Sequence, residues 1–350
     1  MESKSLRPIC SIGMFDFSKG VAIFTVVFGH ILLSCTSLQR HPIMILPVAW
    51  ANTLLYSLVP AAGFGFRKLS ARKCLMHIKN MFILPYVISA LITVFLAAVN
   101  DFFLYGSFSS ALHQLVTGVL RFLLFSDLPY EIFGLTITDC GPLWFLPAIA
   151  GGWFILNLIL NLPQGWKCHL AVIFAGVIGY FGNILLDVLD IKVSFFIFHM
   201  LIFVPGLYIG YLAKKHRWLE KKLPPFFIVL VCVCLAAFVW KCKTPFSLFS
   251  RNSSPLGVFT LFAAAVISFG FLYLMTHINR RENPLINAFE ILGRDSIYIY
   301  CIHAIDFYGV PWETLRELAP NPSGPHWFFV TLILRFAFIA VGMLVLKAFK

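Results

Sequence analysis

Stretches of about twenty residues with almost no charge recur from one end of this 350-residue chain to the other, and nothing constrains its fold more. A hydrocarbon core about 30 Å thick needs roughly 20 apolar residues per crossing helix. Inside it each backbone amide must be satisfied within its own segment, so the expected architecture is an all-α, polytopic membrane protein. Ten spans are predicted, at 14–36, 45–66, 81–99, 139–162, 168–189, 193–213, 225–240, 256–277, 286–308 and 326–346. With 60% hydrophobic residues, 12% charged residues and a mean hydropathy of +0.87, there is too little polar surface to cover a soluble globule.

Charge placement tests the count, because cytoplasmic loops collect Lys and Arg. With the N-terminus inside, the inner segments hold seventeen such residues and the outer loops seven, which predicts an even number of spans and both termini cytoplasmic. Arg67, Lys68, Arg72, Lys73 and Lys79 fall on one inner loop, and Lys214 to Lys222 on another. One loop disagrees: the outer segment with Lys241, Lys243 and Arg251 carries no acid. The net charge of +12 is read as topology and attraction to anionic membrane lipids, so no nucleic-acid partner is expected. No cleavable signal peptide, internal repeat or soluble appendage is evident, and residues 1–350 are taken as one domain. The nine scattered cysteines read as small core residues rather than a disulfide framework or metal site.

Ionisable groups inside a span are expensive, and the first span carries three. Asp16 and Lys19 are near neighbours on a helix, and the bland reading is an interfacial ion pair. His30 follows eleven residues after Lys19, beside Gly29. Eleven steps are about three turns, so His30 shares a face with Lys19 about 16 Å deeper. A lone helix histidine is usually a packing residue, but this shared face favours a functional one. A neutral imidazole can take a proton from an alcohol and return it, as acyl transfer to a hydroxyl requires. No Gly-x-Ser-x-Gly elbow or His-Glu-x-x-His helix is found, so neither a serine nucleophile nor a metal is indicated.

The cluster Arg67, Lys68, Arg72, Lys73 and Lys79 is in part a topogenic signal, and its second reading is a site for the phosphates of an acyl-coenzyme A. Later, Gly141-Pro142-Leu143-Trp144-Phe145-Leu146 starts the fourth span after Asp139, with Trp144 readable as an interfacial aromatic. The ninth span holds Glu290, Arg294, Asp295, Ser296, Tyr300, His303 and Asp306, too many polar groups to face lipid. An internal Glu290–Arg294 pair is the simplest account of part of it. Arg335 in the last span needs a partner, either Glu290 or a snorkelling path, and is read as structural.

The run Phe15-Asp16-Phe17-Ser18-Lys19-Gly20-Val21-Ala22-Ile23, continuing to Gly29-His30, resembles the first-helix signature of the membrane acyltransferase 3 family, near its fucose 4-O-acetylase-like members. Leu143-Trp144-Phe145-Leu146 and Ser296-Ile297-Tyr298-Ile299-Tyr300 to His303 are similar to two later segments of that family, in the same order. The resemblance implies a ten-helix acyltransferase that moves an acetyl group from cytosolic acetyl-CoA to a hydroxyl of an envelope carbohydrate, in a bacterial inner membrane. It places the essential histidine at His30 and its basic partner at Lys19, with Asp16 beside them. Trp144, Arg294, Ser296, Tyr300 and His303 would complete a substrate cavity. The chain departs from the family pattern at Ala62-Gly63, where Ser-Gly is common, and at Lys79-Asn80-Met81, where a Lys-Arg pair is usual. Direct transfer and a covalent acyl-histidine both remain open, and oligomeric state is not written in the sequence. The competing class is a transporter or flippase for a glycan or lipid-linked intermediate, which buried charges would also suit. The Asn252-Ser253-Ser254 sequon matters only in a eukaryotic secretory membrane.

Overall fold

The computed structural model describes residues 11–34, 58–126, 129–162, 165–189, 196–241, 259–279, 283–318 and 325–348. Helix α1 is Ile12–Ser34, and residues 58–65 are also helical. Helix α2 (Ala71–Ile78) passes through a π-helical segment, Lys79–Ile83, into α3 (Leu84–Tyr105), and α4 is Phe108–Leu123. A two-stranded antiparallel hairpin follows, β1 (Tyr130–Ile132) and β2 (Leu135–Ile137), with Glu131 opposite Thr136. Then come α5 (Phe145–Asn161), α6 (Trp166–Val188), α7 (Phe196–Lys215), α8 (Pro225–Lys241), α9 (Phe259–Ile278), α10 (Pro284–Arg294), α11 (Ser296–Gly309), α12 (Trp312–Glu317) and α13 (Pro325–Ala348).

Among the described residues, seven helices are long and apolar enough to cross a membrane: Gly13–Ile31, Ala71–Tyr105, Gly141–Asn161, Trp166–Leu186, Phe196–Lys215, Phe259–Ile278 and Trp327–Ala348. The protein is thus an all-α polytopic membrane protein. Much of the expected second span, the loop through Lys243 and Arg251, and the Asn252 sequon lie outside the described residues.

Two expectations need correction. Residues 100–138, read as an outer loop, instead extend α3 and then form α4 and the hairpin. Gly106, at φ +63°, turns the chain between α3 and α4, and the Ser107 hydroxyl accepts from Ser110 N–H at 3.2 Å to cap α4. Arg121 is buried in this unit, donating to Thr138 Oγ1 at 3.1 Å and lying 4.8 Å from the Tyr308 ring centroid. The single span at 286–308 is really two helices, broken at Asp295. Irregular backbone is tolerated at membrane depth where it is buried in protein or lines a cavity, and this break does line one.

Proline and glycine explain two other features. Pro85 has no N–H, and its ring crowds the carbonyl four residues earlier, so the chain widens into the π segment before it. Gly20 and Gly293 let α1 and α10 cross at backbone contact: a Cβ at Gly20 would meet Phe289 O at 1.9 Å, and one at Gly293 would meet Asp16 O at 1.6 Å. This is the small-residue contact by which membrane helices approach most closely.

Candidate active site

Helix α1 satisfies its hydroxyls internally, Ser18 Oγ on Met14 O at 2.9 Å and Thr25 Oγ1 on Val21 O at 2.8 Å, which leaves its larger polar groups to form the site. Lys19 Nζ lies 2.8 Å from Asp16 Oδ1, so these two form the expected i, i+3 ion pair. The glycine crossing brings the end of α10 to the same level, and Lys19 and Arg294 line one cavity of about 290 Å³ together with Ser296, Tyr300 and His77. Its walls are otherwise apolar and aromatic, including Ile23, Ala62, Phe145, Leu146 and Trp153.

Helix α11 advances beside α1 from this cavity. Tyr300 and Ile23 both line it, and one turn beyond Tyr300 the ring of His303 lies 5.2 Å from that of His30, centroid to centroid. The His30 Nδ1 is 3.0 Å from Val26 O. A carbonyl can only accept, so Nδ1 carries the proton and the neutral ring keeps its lone pair on Nε2.

Behind His303 stands a group that sequence reasoning did not assign to the site. Asp306 Oδ2 lies 3.7 Å from His303 Nδ1 and 3.8 Å from Arg335 Nε, and its Oδ1 accepts from Trp312 Nε1 at 3.0 Å. His303 and Asp306 are fully buried and Arg335 almost so. The Arg335 guanidinium also covers the rings of Trp312 (5.1 Å) and Phe307 (5.6 Å). Arg335 therefore pairs with Asp306, neither with Glu290 nor by snorkelling. Glu290 Oε1 accepts from Asn279 Nδ2 at 2.9 Å, while Arg294 faces the cavity, so the expected Glu290–Arg294 pair is replaced. The i, i+3 spacing of His303 and Asp306 was a usable signal; the partnership with Arg335, 29 positions further on, was not.

The other expected site residues divide. Trp144 packs on His199 at 5.6 Å and on Phe203, and it is the next two residues, Phe145 and Leu146, that reach the cavity. Its motif still supports the site, because the Pro142 carbonyl accepts a hydrogen bond from the Tyr300 hydroxyl. Arg67, Lys68, Arg72 and Lys73 are exposed on the segment between Gly65 and His77, both of which line the cavity. Asn157 holds this segment, accepting from Leu69 N–H and donating to Leu69 O, each at 3.0 Å. Lys79 is exposed on the π segment, and from Lys79-Asn80-Met81 only Met81 lines the cavity.

Of the residues expected to line a substrate cavity, Arg294, Ser296 and Tyr300 do so, whereas His303, like His30, does not: the two imidazoles meet one helical turn beyond Tyr300, outside the cavity lining. A flexible chain with an anionic head suits the cation-rimmed, largely apolar cavity, and proton transfer suits the pair of imidazoles. No curated protein and no solved structure matches the chain. Residues 13–349 match the sequence profile of acyltransferase family 3, described as an acyltransferase domain. With nearly its whole length covered by that match, the chain belongs to the membrane acyltransferase 3 family.

Proposed function

We propose that this membrane acyltransferase is an O-acetyltransferase of a bacterial inner membrane that moves an acetyl group from acetyl-CoA to a hydroxyl of an envelope or exported carbohydrate. The observation that carries the reading is the meeting of His30 and His303 on α1 and α11, the two helices whose Ile23 and Tyr300 line the cavity of Lys19 and Arg294. In this reading the Lys19 and Arg294 end of the cavity faces the cytosol. Arg67, Lys68, Arg72 and Lys73 attract the donor's phosphates, and the apolar walls take its thioester arm inward. Lys79, exposed on the π segment, adds to the field without lining the passage.

His30 Nε2 takes the proton of the acceptor hydroxyl, whose oxygen attacks the thioester carbonyl. A C–O bond forms, the C–S bond breaks, and the leaving thiolate takes the proton back from His30. The surrounding helices limit the competition of water with the acceptor and strengthen the Val26 hydrogen bond that orients the His30 ring. A covalent acyl-His30 is the variant of this scheme, recognised by ping-pong kinetics.

The test is purified protein in lipid nanodiscs, given acetyl-CoA labelled in the acetyl group and a panel of envelope glycans. Labelled glycan, lost in His30→Ala, is the expected result. Uptake of substrate into sealed vesicles without covalent labelling would instead establish the transporter reading.

A further inference from the structure

We infer that Asp306 and Arg335 are positioning residues that set the charge of the histidine pair, so that one extra proton can be held at His30 and His303 during transfer. The inference rests on the acyltransfer reading above. Asp306 and Arg335 neutralise one another at 3.8 Å, so the resting cluster is neutral when both imidazoles are neutral. When His30 takes a proton the cluster becomes +1. Were Asp306 missing it would go from +1 to +2, beside side chains that are buried in the protein.

The carboxylate has a second effect. Asp306 Oδ2 faces His303 Nδ1 at 3.7 Å, an arrangement that favours the proton on that nitrogen and leaves the Nε2 lone pair free. His303 can then share the proton that His30 has taken, as a second basic ring 5.2 Å away. Trp312 Nε1 holds the other carboxylate oxygen and fixes the direction in which Asp306 points. Among the described residues, the titratable and charged groups placed against His303 are His30 of α1 and Asp306 of its own helix, with Arg335 of α13 behind Asp306. Helix α3 packs along α11 with Ser89 and, at the far end, with Asn100, bonded to the Gly309 carbonyl, and the neighbouring carboxylate of Asp101. The proton ends on the leaving thiolate, so the cluster returns to its starting charge after each turnover.

The experiment compares Asp306→Asn, Arg335→Met and the double variant in nanodiscs, by kcat, KM for acetyl-CoA and the pH profile of kcat/KM. Asp306→Asn is expected to lower kcat on the order of 10²-fold with KM within twofold of the parent, and to move the acid limb to lower pH. Arg335→Met is expected to move that limb to higher pH, and the double variant to return it to the parent position. Opposite shifts that cancel are a signature of charge that a merely structural role would not give. If Asp306→Asn does not fold, the other two still decide the matter, since the double variant leaves no uncompensated buried charge. Limbs that do not move, or move the same way in both single variants, would overturn the inference, as would a folded Asp306→Asn with parental kcat. A parental rate in His30→Ala would instead remove the acyltransfer reading beneath it.

Discussion

The mouth of the cavity and the buried cluster on α11 and α13 both hold cations and an acid, yet they are built on opposite terms. At the mouth, Lys19 pairs with Asp16 at 2.8 Å with a third of its side chain in solvent, and Arg67, Lys68, Arg72 and Lys73 stand exposed. Charges in such surroundings interact weakly, are screened by salt and tolerate exchange. In the buried cluster His303, Asp306 and Arg335 are sealed from solvent at longer separations, where each charge depends on the others. The difference teaches that the outer group can recruit and hold a ligand while the inner group can hold a proton, and that the same substitution has different consequences in the two places.

Substitutions can break or sharpen that division. The largest expected effect is on the deep side: His30→Ala should cut kcat about 10³-fold with little change in KM for acetyl-CoA, read by steady-state kinetics of purified protein. Next is the joint between the two regions, where Gly293→Leu forces a side chain into the Asp16 carbonyl; at least a tenfold loss of folded protein on size exclusion is expected. Asn157→Leu removes both hydrogen bonds to Leu69, costs about 1–3 kcal/mol and lowers the midpoint of thermal unfolding. Lys19→Ala should raise KM for acetyl-CoA about tenfold and leave kcat within about threefold, which equals roughly 1.4 kcal/mol of binding. The smallest effects belong to Arg72→Ala and Lys73→Ala, about threefold each in KM at low salt and none at 1 M salt, where screening acts over about 3 Å. A large kcat effect from a mouth residue, or a pure KM effect from His30, would dissolve the distinction.

The first helix was legible because its information is local. Asp16, Lys19 and His30 lie within fifteen residues, and helical spacing alone puts them on one face. The inner cluster was only half legible: His303 and Asp306 are three apart, but Arg335 joins them from another helix, and its role as a partner depends on packing that spacing does not encode. Trp144 misled for a related reason. An aromatic at a helix start can turn to either side of its backbone, and this one turns to His199 while Phe145 takes the cavity. Helix α4 escaped notice because Arg121 and the polar residues Ser109, Ser110, His113 and Gln114 read as loop, whereas the guanidinium is stacked between Phe122 and Tyr308. The break at Asp295 has no proline or glycine at the turn itself to announce it, only Gly293 two residues before.

Backbone contact without slack has a mechanical corollary. Gly20 and Gly293 clamp α1 to α10, and Gly63 and Gly210 clamp the 58–65 helix to α7, with added Cβ atoms 2.0 Å from the Leu207 and Pro60 carbonyls. Two walls of the cavity are therefore held at backbone contact with their neighbours. A further wall, His77, Met81 and Phe82, belongs to α2 and the π segment and meets α5 through side chains, His77 and Phe82 against Trp153, so a wider turn can tighten or relax there without a backbone clash. In the donor reading proposed above, the winding of the five residues of the π segment is where the entrance has room to widen.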